Sequence, residues 1–153
     1  MKTAKGLMLS LIAGTAEQAG ALFADDGTLE HPYLASIGLP PVTTGPLEIT
    51  KFLNFVHGAL YPGFSFKEVE ILIDTPDQVL AEYHINHKSA ITGVEIHKQS
   101  SGIFKPKAAK NARLRETLDV VQAAEVIYPK GLAEVIATRS QTAHDYHTQD
   151  HHA

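Results

Sequence analysis

The sequence of 153 residues predicts a single α+β domain, in which a curved, mostly antiparallel sheet forms a cone-shaped barrel with helices packed on its concave face. Two observations lead to this fold class. Helix-like segments are concentrated in the first 60 residues, and four strand-like runs then follow one another without an intervening helix. Because helices would cover the mouth of the cone, its interior is expected to hold a cavity, which is a common type of ligand site.

The composition is typical of a globular protein and excludes several classes of function. Hydrophobic residues make up 44% and charged residues 20% of the chain, and no apolar run is long enough to span a bilayer. A formal net charge of −4 argues against nucleic-acid binding, because no basic stripe is present to displace counterions. The absence of cysteine excludes disulfides and thiolate catalysis. We therefore expect neither a nucleic-acid nor a membrane partner.

The first 21 residues, MKTAKGLMLSLIAGTAEQAGA, imitate a signal peptide, since they combine lysines, an apolar core and an Ala-Gly-Ala sequence. The core is short and is interrupted by Ser10, and the candidate cleavage site lies inside a second predicted helix. We therefore interpret residues 2–12 as a structural helix and expect a cytoplasmic protein, with secretion as the alternative.

Capping and turn residues define the next segments. Thr15 and Gln18 form a capping box that opens a helix predicted to reach Phe23, and the sequence DDG at residues 25–27 is expected to end it. Residues 28–33 then have the composition of a short strand, and a loop rich in proline and glycine follows.

The second half begins with a helix from Pro46 to about Leu60, in which apolar residues repeat at helical spacing. Runs of strand-like composition follow over residues 64–73, 79–88, 94–104 and 112–121. We predict that residues 1–132 form the barrel domain and that residues 133–153 form a polar C-terminal extension.

One face of the last predicted strand carries a single ionisable residue among apolar neighbours. Alternation places Glu116 in one row with Ala112, Leu114, Leu118 and Val120, so its carboxyl group is expected to point into the apolar interior. Burial of this kind raises the pKa of a carboxyl group and would let Glu116 exchange protons near neutral pH.

Polar residues of other elements are expected to converge on Glu116. If the preceding turn centres near Ala108, Ser100 lies opposite Glu116 and Lys98 lies diagonal to it. A satisfied ion pair between Lys98 and Glu116 is the structural alternative. His57 borders the apolar stripe of the long helix, and Tyr83 and His87 share one row of the strand at residues 79–88. His31 and Tyr33 lie in the predicted strand at residues 28–33, which is expected to line the mouth of the cone. The predicted catalytic residues are Glu116, His57 and Lys98, and the predicted substrate-binding residues are His31, Tyr33, Tyr83, His87 and Ser100.

Five segments occur in an order and spacing typical of one known superfamily. They are ALFADDGTLEHPY, TTGPLEITKFL, YPGFSF, VLAEYHINHKSAITG and RLRETLDVVQAAEVIYPKGL. Together they resemble the SnoaL-like family of the ketosteroid-isomerase and nuclear-transport-factor-like superfamily, from about Ala16 to Leu132. Members are cone-shaped α+β barrels, usually dimers, and they include polyketide cyclases, isomerases, dehydratases and proteins without catalysis. The resemblance implies that no metal or organic cofactor is needed.

The last strand carries the most informative part of the resemblance. Glu116 matches the acidic position of the family, and it also resembles the acid/base glutamate of the phenazine-biosynthesis branch. Thr117 and Leu118 replace an aromatic pair of the family pattern. Lys98 and Ser100 lie in the preceding strand, where the family commonly has a pattern of tyrosine and amide side chains.

The resemblance implies a small-molecule acid/base enzyme of secondary metabolism, a cyclase, isomerase or dehydratase that acts on a carbonyl compound in a closed apolar cavity. A non-catalytic ligand-binding or dimeric scaffold protein of the same fold is the alternative. We predict a homodimer through the outer face of the sheet, where Leu80 and Ile103 lie on outward rows.

The C-terminal sequence HDYHTQDHH contains His144, His147 and His151 at helical spacing, which could bind nickel or zinc. We interpret this segment as a polar extension that binds metal only opportunistically, and we therefore predict no functional metal site.

Overall fold

The computed structural model describes residues 3–149 and, among them, the side chains of residues 3–140. The helices are α1 (Ala4–Ala13), α2 (Ala16–Gly20), α3 (Pro46–Asn54), α4 (Val120–Ile127) and α5 (Gly131–Gln149), with a 3-10 helix at Pro32–Ile37 and a π-helix at Phe55–Leu60. The strands are β1 (Phe23–Glu30), β2 (Val42–Thr44), β3 (Lys67–Asp74), β4 (Val79–Lys88), β5 (Glu95–Lys107) and β6 (Lys110–Thr117).

The six strands form one curved sheet in the order β2-β1-β6-β5-β4-β3. Every neighbouring pair is antiparallel except β1 and β6, which run parallel. The α+β class and the mostly antiparallel sheet are therefore confirmed. The sheet is open rather than a closed barrel, because β2 and β3 are each paired along one side only.

The N-terminal helices pack on the sheet, and their capping follows the sequence prediction. Thr15 and Gln18 form both hydrogen bonds of the capping box. The predicted extension of this helix to Phe23 is wrong, because α2 ends at Gly20 and Phe23 already belongs to β1. A β-carbon at position 20 would lie 2.0 Å from the Thr50 hydroxyl oxygen, so glycine lets α2 approach α3 closely.

The sequence at residues 25–27 lies inside β1 and does not form the predicted turn. The pairing of β1 with β6 shifts register between Phe23 and Thr28, so these residues occupy an irregularity of the strand. β1 ends at Glu30, earlier than the predicted residue 33, because Pro32 lacks the N–H that a strand needs and starts a 3-10 helix instead.

The predicted long helix is present, but its last part has π-helical hydrogen bonding. Gly45, at a φ of 83°, turns the chain into Pro46 at the start of α3. The wider π-helical turn follows at Phe55–Leu60 and presents His57 to the interior of the cone. Short π-helical segments are frequently found at functional sites.

The register of the β5–β6 hairpin differs from the predicted one. Gly102 lies opposite Glu116, and Ser100 therefore does not. The pairing shifts between Lys105 and Pro106, and this irregularity moves the two strands relative to a regular hairpin centred near Ala108.

The C-terminal part of the described chain is helical, and α4 contributes to the wall of the cavity. Asp119 caps α4 by accepting hydrogen bonds from the backbone of Val121 and Gln122. Val135 of α5 is buried against the cluster formed by α4 and the 3-10 helix. Within residues 3–149 no helix is long and apolar enough to cross a membrane. The histidine side chains at positions 144, 147 and 151 lie outside the described part of the structure.

Candidate active site

A cavity of about 350 Å³ lies between the concave face of the sheet and the surrounding helices. Its walls are mostly apolar and come from the sheet, α3, the π-helix and α4. Histidine, tyrosine, lysine and glutamate side chains interrupt this apolar lining at a few points. They are His31, His57, Tyr61, Lys98 and Glu116.

Glu116 stands at the centre of a hydrogen-bonded group on the cavity wall. Its side chain is 13% exposed, and its Oε1 lies 3.0 Å from Nε2 of His31. Its Oε2 accepts a hydrogen bond from the hydroxyl of Tyr83 on β4. Both carboxylate oxygens of Glu116 therefore have a hydrogen-bond partner, one at the end of β1 and the other on β4.

The parallel pairing of β1 with β6 explains how His31 reaches Glu116. Glu30 lies opposite Arg115 in this register, and their side chains form an ion pair of 2.8 Å. His31 is the next residue after the end of β1, and its backbone N–H donates to the carbonyl of Pro41 at 2.8 Å. These contacts hold the His31 ring beside Glu116, although the two residues are 85 positions apart.

A glycine across the sheet makes room for the third member of the group. A β-carbon at Gly102, the cross-strand neighbour of Glu116, would lie 2.8 Å from the Tyr83 hydroxyl oxygen. It would also lie 3.1 Å from side-chain atoms of Leu114 and Phe104. Glycine at position 102 therefore permits the Tyr83 hydroxyl to reach Glu116.

The pKa of Glu116 is lowered, contrary to the expectation from sequence. Burial raises this pKa and is the largest single influence, but the hydrogen bond and charge of His31, the hydrogen bond of Tyr83 and the charge of Lys98 together outweigh it. The sequence prediction considered Lys98 but not the two hydrogen bonds. Glu116 is therefore an ionised carboxylate at neutral pH.

The ionised carboxylate determines which atoms donate. A carboxylate can only accept hydrogen bonds, so His31 donates from Nε2 and Tyr83 donates from its hydroxyl. Burial, the charge of Glu116 and this hydrogen bond all raise the pKa of Tyr83, which stays protonated. When the His31 ring carries its single hydrogen on Nε2, its lone pair is on Nδ1, which makes no hydrogen bond within the described residues.

Two basic side chains lie elsewhere on the cavity wall. Burial lowers the pKa of Lys98, and the negative charges of Glu116 and Asp119 partly offset this effect. Burial also lowers the pKa of His57, with Glu116 raising it and His87 lowering it further, so His57 is neutral at neutral pH. The His57 ring stacks on Phe64 with centroids 4.2 Å apart.

The remaining predicted site residues do not line this cavity. Tyr33 lies on the 3-10 helix and is 58% exposed. His87 stacks on Phe64 and accepts a hydrogen bond from the backbone N–H of Ser65 at 3.0 Å. Ser100 is buried beside a second, polar cleft. Tyr83 reaches the site through its hydroxyl group on Glu116, and its ring packs against Phe66, which lines the cavity.

Two further positions shape the site but are not singled out by the sequence pattern. Tyr61 is buried, lines the cavity, and has a pKa raised to about 12 by burial. In the sequence Tyr61 follows the predicted helix and belongs to the segment YPGFSF, where no pattern marks it as a cavity residue. Gly102 could have been noticed, because a glycine inside a strand often marks a close approach of another group.

The side chains described here do not include any group of three His, Cys, Asp or Glu residues arranged to hold a metal ion. No family model matches the sequence, and no curated protein matches it.

Solved structures with the same fold are numerous. An NTF2-like protein from Burkholderia thailandensis superposes with a TM-score of 0.71 at 16% identity, covering 84% of this chain and 100% of that chain. A phenazine biosynthesis-related protein from Pseudomonas aeruginosa gives a TM-score of 0.67 at 16% identity, covering 81% and 84%. A protein with a ketosteroid isomerase-like fold from Catenulispora acidiphila, solved in complex with trimethylamine, gives 0.64 at 11% identity, covering 78% and 90%.

These similarities agree with the resemblance drawn from the sequence segments, which also pointed to the phenazine-biosynthesis branch. At such low identity they establish the fold rather than the reaction. The chain therefore has the ketosteroid isomerase-like, NTF2-like fold.

Proposed function

We propose that this protein is a small-molecule acid/base enzyme of SnoaL-like type, which isomerises, cyclises or dehydrates a carbonyl compound without a metal or organic cofactor. The observation that carries the proposal is the hydrogen-bonded group of Tyr83, Glu116 and His31 on the wall of an apolar cavity. Ionisable groups concentrated in such a cavity are characteristic of catalytic sites.

His31 is the proton acceptor in this proposal, and Glu116 is the positioning residue behind it. Nδ1 of His31 takes a proton from the carbon next to the substrate carbonyl, and the electron pair moves to the carbonyl oxygen to form an enolate. The carboxylate of Glu116 stabilises the imidazolium through Nε2–H. In a β,γ-unsaturated carbonyl compound the enolate is conjugated with the double bond, so return of the proton to the γ-carbon shifts that bond and completes an isomerisation. A positioned acid/base residue typically contributes about 10²–10⁴-fold to the rate.

His57 is suited to bind the oxygen on which negative charge develops. It is neutral, so one of its ring nitrogens carries a hydrogen. Neither of its ring nitrogens has a hydrogen-bond partner among the described residues, and the ring lines the cavity. A hydrogen bond from His57 to the enolate oxygen would act in an apolar site, where such bonds stabilise charge more strongly than in water.

Small-molecule binding is also supported by the fold comparisons. The Catenulispora acidiphila protein was solved in complex with trimethylamine, so a protein of this fold binds a small molecule. The cavity of about 350 Å³ is within the usual size range of ligand pockets. The same cavity supports the second candidate function, a ligand-binding protein without catalysis, because binding needs the apolar walls but not the Glu116–His31 pair.

Exchange of hydrogen for deuterium distinguishes the two functions without knowledge of the substrate. Cyclic and aromatic ketones are incubated with the protein in D₂O, and loss of the signal of the hydrogen next to the carbonyl is followed by NMR. The wild type should accelerate the exchange of at least one ketone, and Glu116→Gln should reduce it by at least 10²-fold. Glu48→Gln on the exposed face of α3 is the matched control. If the wild type exchanges no ketone faster than buffer alone, the binding function is correct instead, and equal accelerated rates in wild type and Glu116→Gln would contradict the role given to Glu116.

We also propose a cytoplasmic homodimer, in agreement with the sequence prediction. Ile73, Leu80 and Ile103 are consecutive partners across β3, β4 and β5 and form one outward row on the sheet. An apolar row on the outer face is a suitable centre for a contact with a second copy.

A further inference from the structure

We propose that Lys98 and Tyr61 form an anion-binding subsite inside the cavity, and that the ligand is an apolar ring system bearing a carboxylate or an acidic enol or phenol oxygen. This inference deepens the proposed function and rests on it in one respect only: the cavity must be the ligand site.

The first observation is the lack of a close partner for the Lys98 ammonium group. Lys98 is 6% exposed and lines the cavity. Among the described residues, its Nζ has no hydrogen-bond partner and no carboxylate oxygen lies within 4.0 Å of it. Burial of an ammonium group without a hydrogen-bonded counter-ion is costly, and an anionic ligand would supply the missing partner.

Tyr61 provides the second, independent observation. It is 2% exposed and lines the same cavity, and its hydroxyl makes no hydrogen bond within the described part of the chain. A buried tyrosine hydroxyl usually has a polar partner. Because burial raises its pKa to about 12, Tyr61 keeps its hydrogen and can donate it to an anionic oxygen.

The two groups belong to the same part of the cavity. Lys98 lies opposite Ile85 in the pairing of β4 with β5. Tyr61 packs in one apolar cluster with Ile85 and Ile96, and Ile96 is also on the inward row of β5. Lys98 and Tyr61 are therefore both neighbours of Ile85, and all three residues line the cavity.

Glu116 does not take the place of the ligand anion. Its two oxygens already accept hydrogen bonds from His31 and Tyr83. Its charge acts on Lys98 only at a distance, since the two side chains form no ion pair. The surrounding walls are apolar, so the ligand has to combine one anionic group with a largely hydrophobic body.

The test compares two ligands that differ in charge. Binding of 1-naphthoate and of its neutral analogue 1-naphthamide is measured by titration calorimetry on the full chain. The wild type should bind naphthoate about 10- to 100-fold more tightly than naphthamide, since a hydrogen bond to a charged group is worth that ratio. Lys98→Met should remove this preference while leaving the Kd of naphthamide within about threefold. Tyr61→Phe should weaken naphthoate binding by about threefold to tenfold.

Lys51→Met is the matched control, because Lys51 is exposed and pairs with Glu48 on the surface. It should keep the full preference for naphthoate. The inference is overturned if the wild type binds neither ligand, if it binds both equally, or if Lys98→Met keeps the preference. If Lys98→Met does not fold, Lys98→Gln is used instead. Whether or not either variant folds, a wild type that binds naphthoate and naphthamide equally overturns the inference. A charge preference without deuterium exchange would contradict the proposed catalysis alone, and exchange without a charge preference would contradict the subsite alone.

Discussion

Replacement of Gly102 by alanine should separate Tyr83 from Glu116. The added β-carbon would lie 2.8 Å from the Tyr83 hydroxyl oxygen, a distance that packed carbon atoms do not adopt, so the hydroxyl has to move. A hydrogen bond to a charged group contributes about 1.5–3 kcal/mol to the free energy of unfolding. Replacement of glycine by alanine also lowers the conformational entropy of the unfolded chain. This effect stabilises the folded state by about 0.4–1 kcal/mol and offsets part of the loss. We therefore expect a net loss of about 1–2 kcal/mol.

The assay is urea unfolding of a double-mutant cycle. Gly102→Ala is compared in the wild type and in Tyr83→Phe, where the hydroxyl is absent and the closest contact is removed. The contacts of the new methyl group with Leu114 and Phe104 are present in both backgrounds and cancel. Gly58→Ala is the control, because a β-carbon at position 58 would meet no atom within 4 Å.

A coupling free energy of at least about 1 kcal/mol between positions 83 and 102 is expected. If Gly102→Ala costs the same in both backgrounds, the hydroxyl of Tyr83 does not depend on the glycine, and the explanation of this cross-strand position is refuted.

Three further predictions concern charge and assembly. Glu116→Gln should fold, keep naphthamide binding and lose ketone exchange; an unfolded variant would show that the group is structural. Because the pKa of Glu116 is lowered in the folded protein, its carboxylate stabilises the folded state at pH values above about 4.3, the pKa of a glutamate in the unfolded chain. This stability is lost as the pH falls through the folded pKa, so acid unfolding should be less steep in Glu116→Gln, and identical profiles would contradict the assigned direction. Leu80→Glu should convert the dimer to monomer in sedimentation, whereas Ile91→Glu on a loop should not; a wild-type monomer at micromolar concentrations would exclude the dimer.

Strand alternation was sufficient to predict that Glu116 points into the cavity. Its neighbours Leu114 and Leu118 line the same cavity, as the apolar row indicated. The bounds predicted for the strand at Val79–Lys88 are those observed, because clear alternation and turn residues on both sides define this segment. The local pattern of the sequence was therefore a reliable guide wherever one strand face is buried.

The partners of Glu116 could not be predicted in the same way. His31 reaches it through a parallel pairing of β1 with β6, which joins distant parts of the chain and leaves no local signal. The position of Gly102 opposite Glu116 depends on an irregularity near Pro106, and a shift of this kind cannot be read from alternation alone. The sign of the Glu116 pKa shift depended on these same contacts, which is why the expectation from burial was wrong.

The open edges of the sheet restrict how copies of this protein can associate. At one edge, β2 has only three residues and offers little backbone for pairing with another chain. At the other, β3 has two shifts of register, and Glu68 adopts a φ of 49°. Charged side chains also follow this strand, namely Lys67, Glu68, Glu70 and Asp74. Short, irregular and charged edges resist the addition of further strands, so the sheet can keep an apolar outer face for one specific contact without polymerising along its edges.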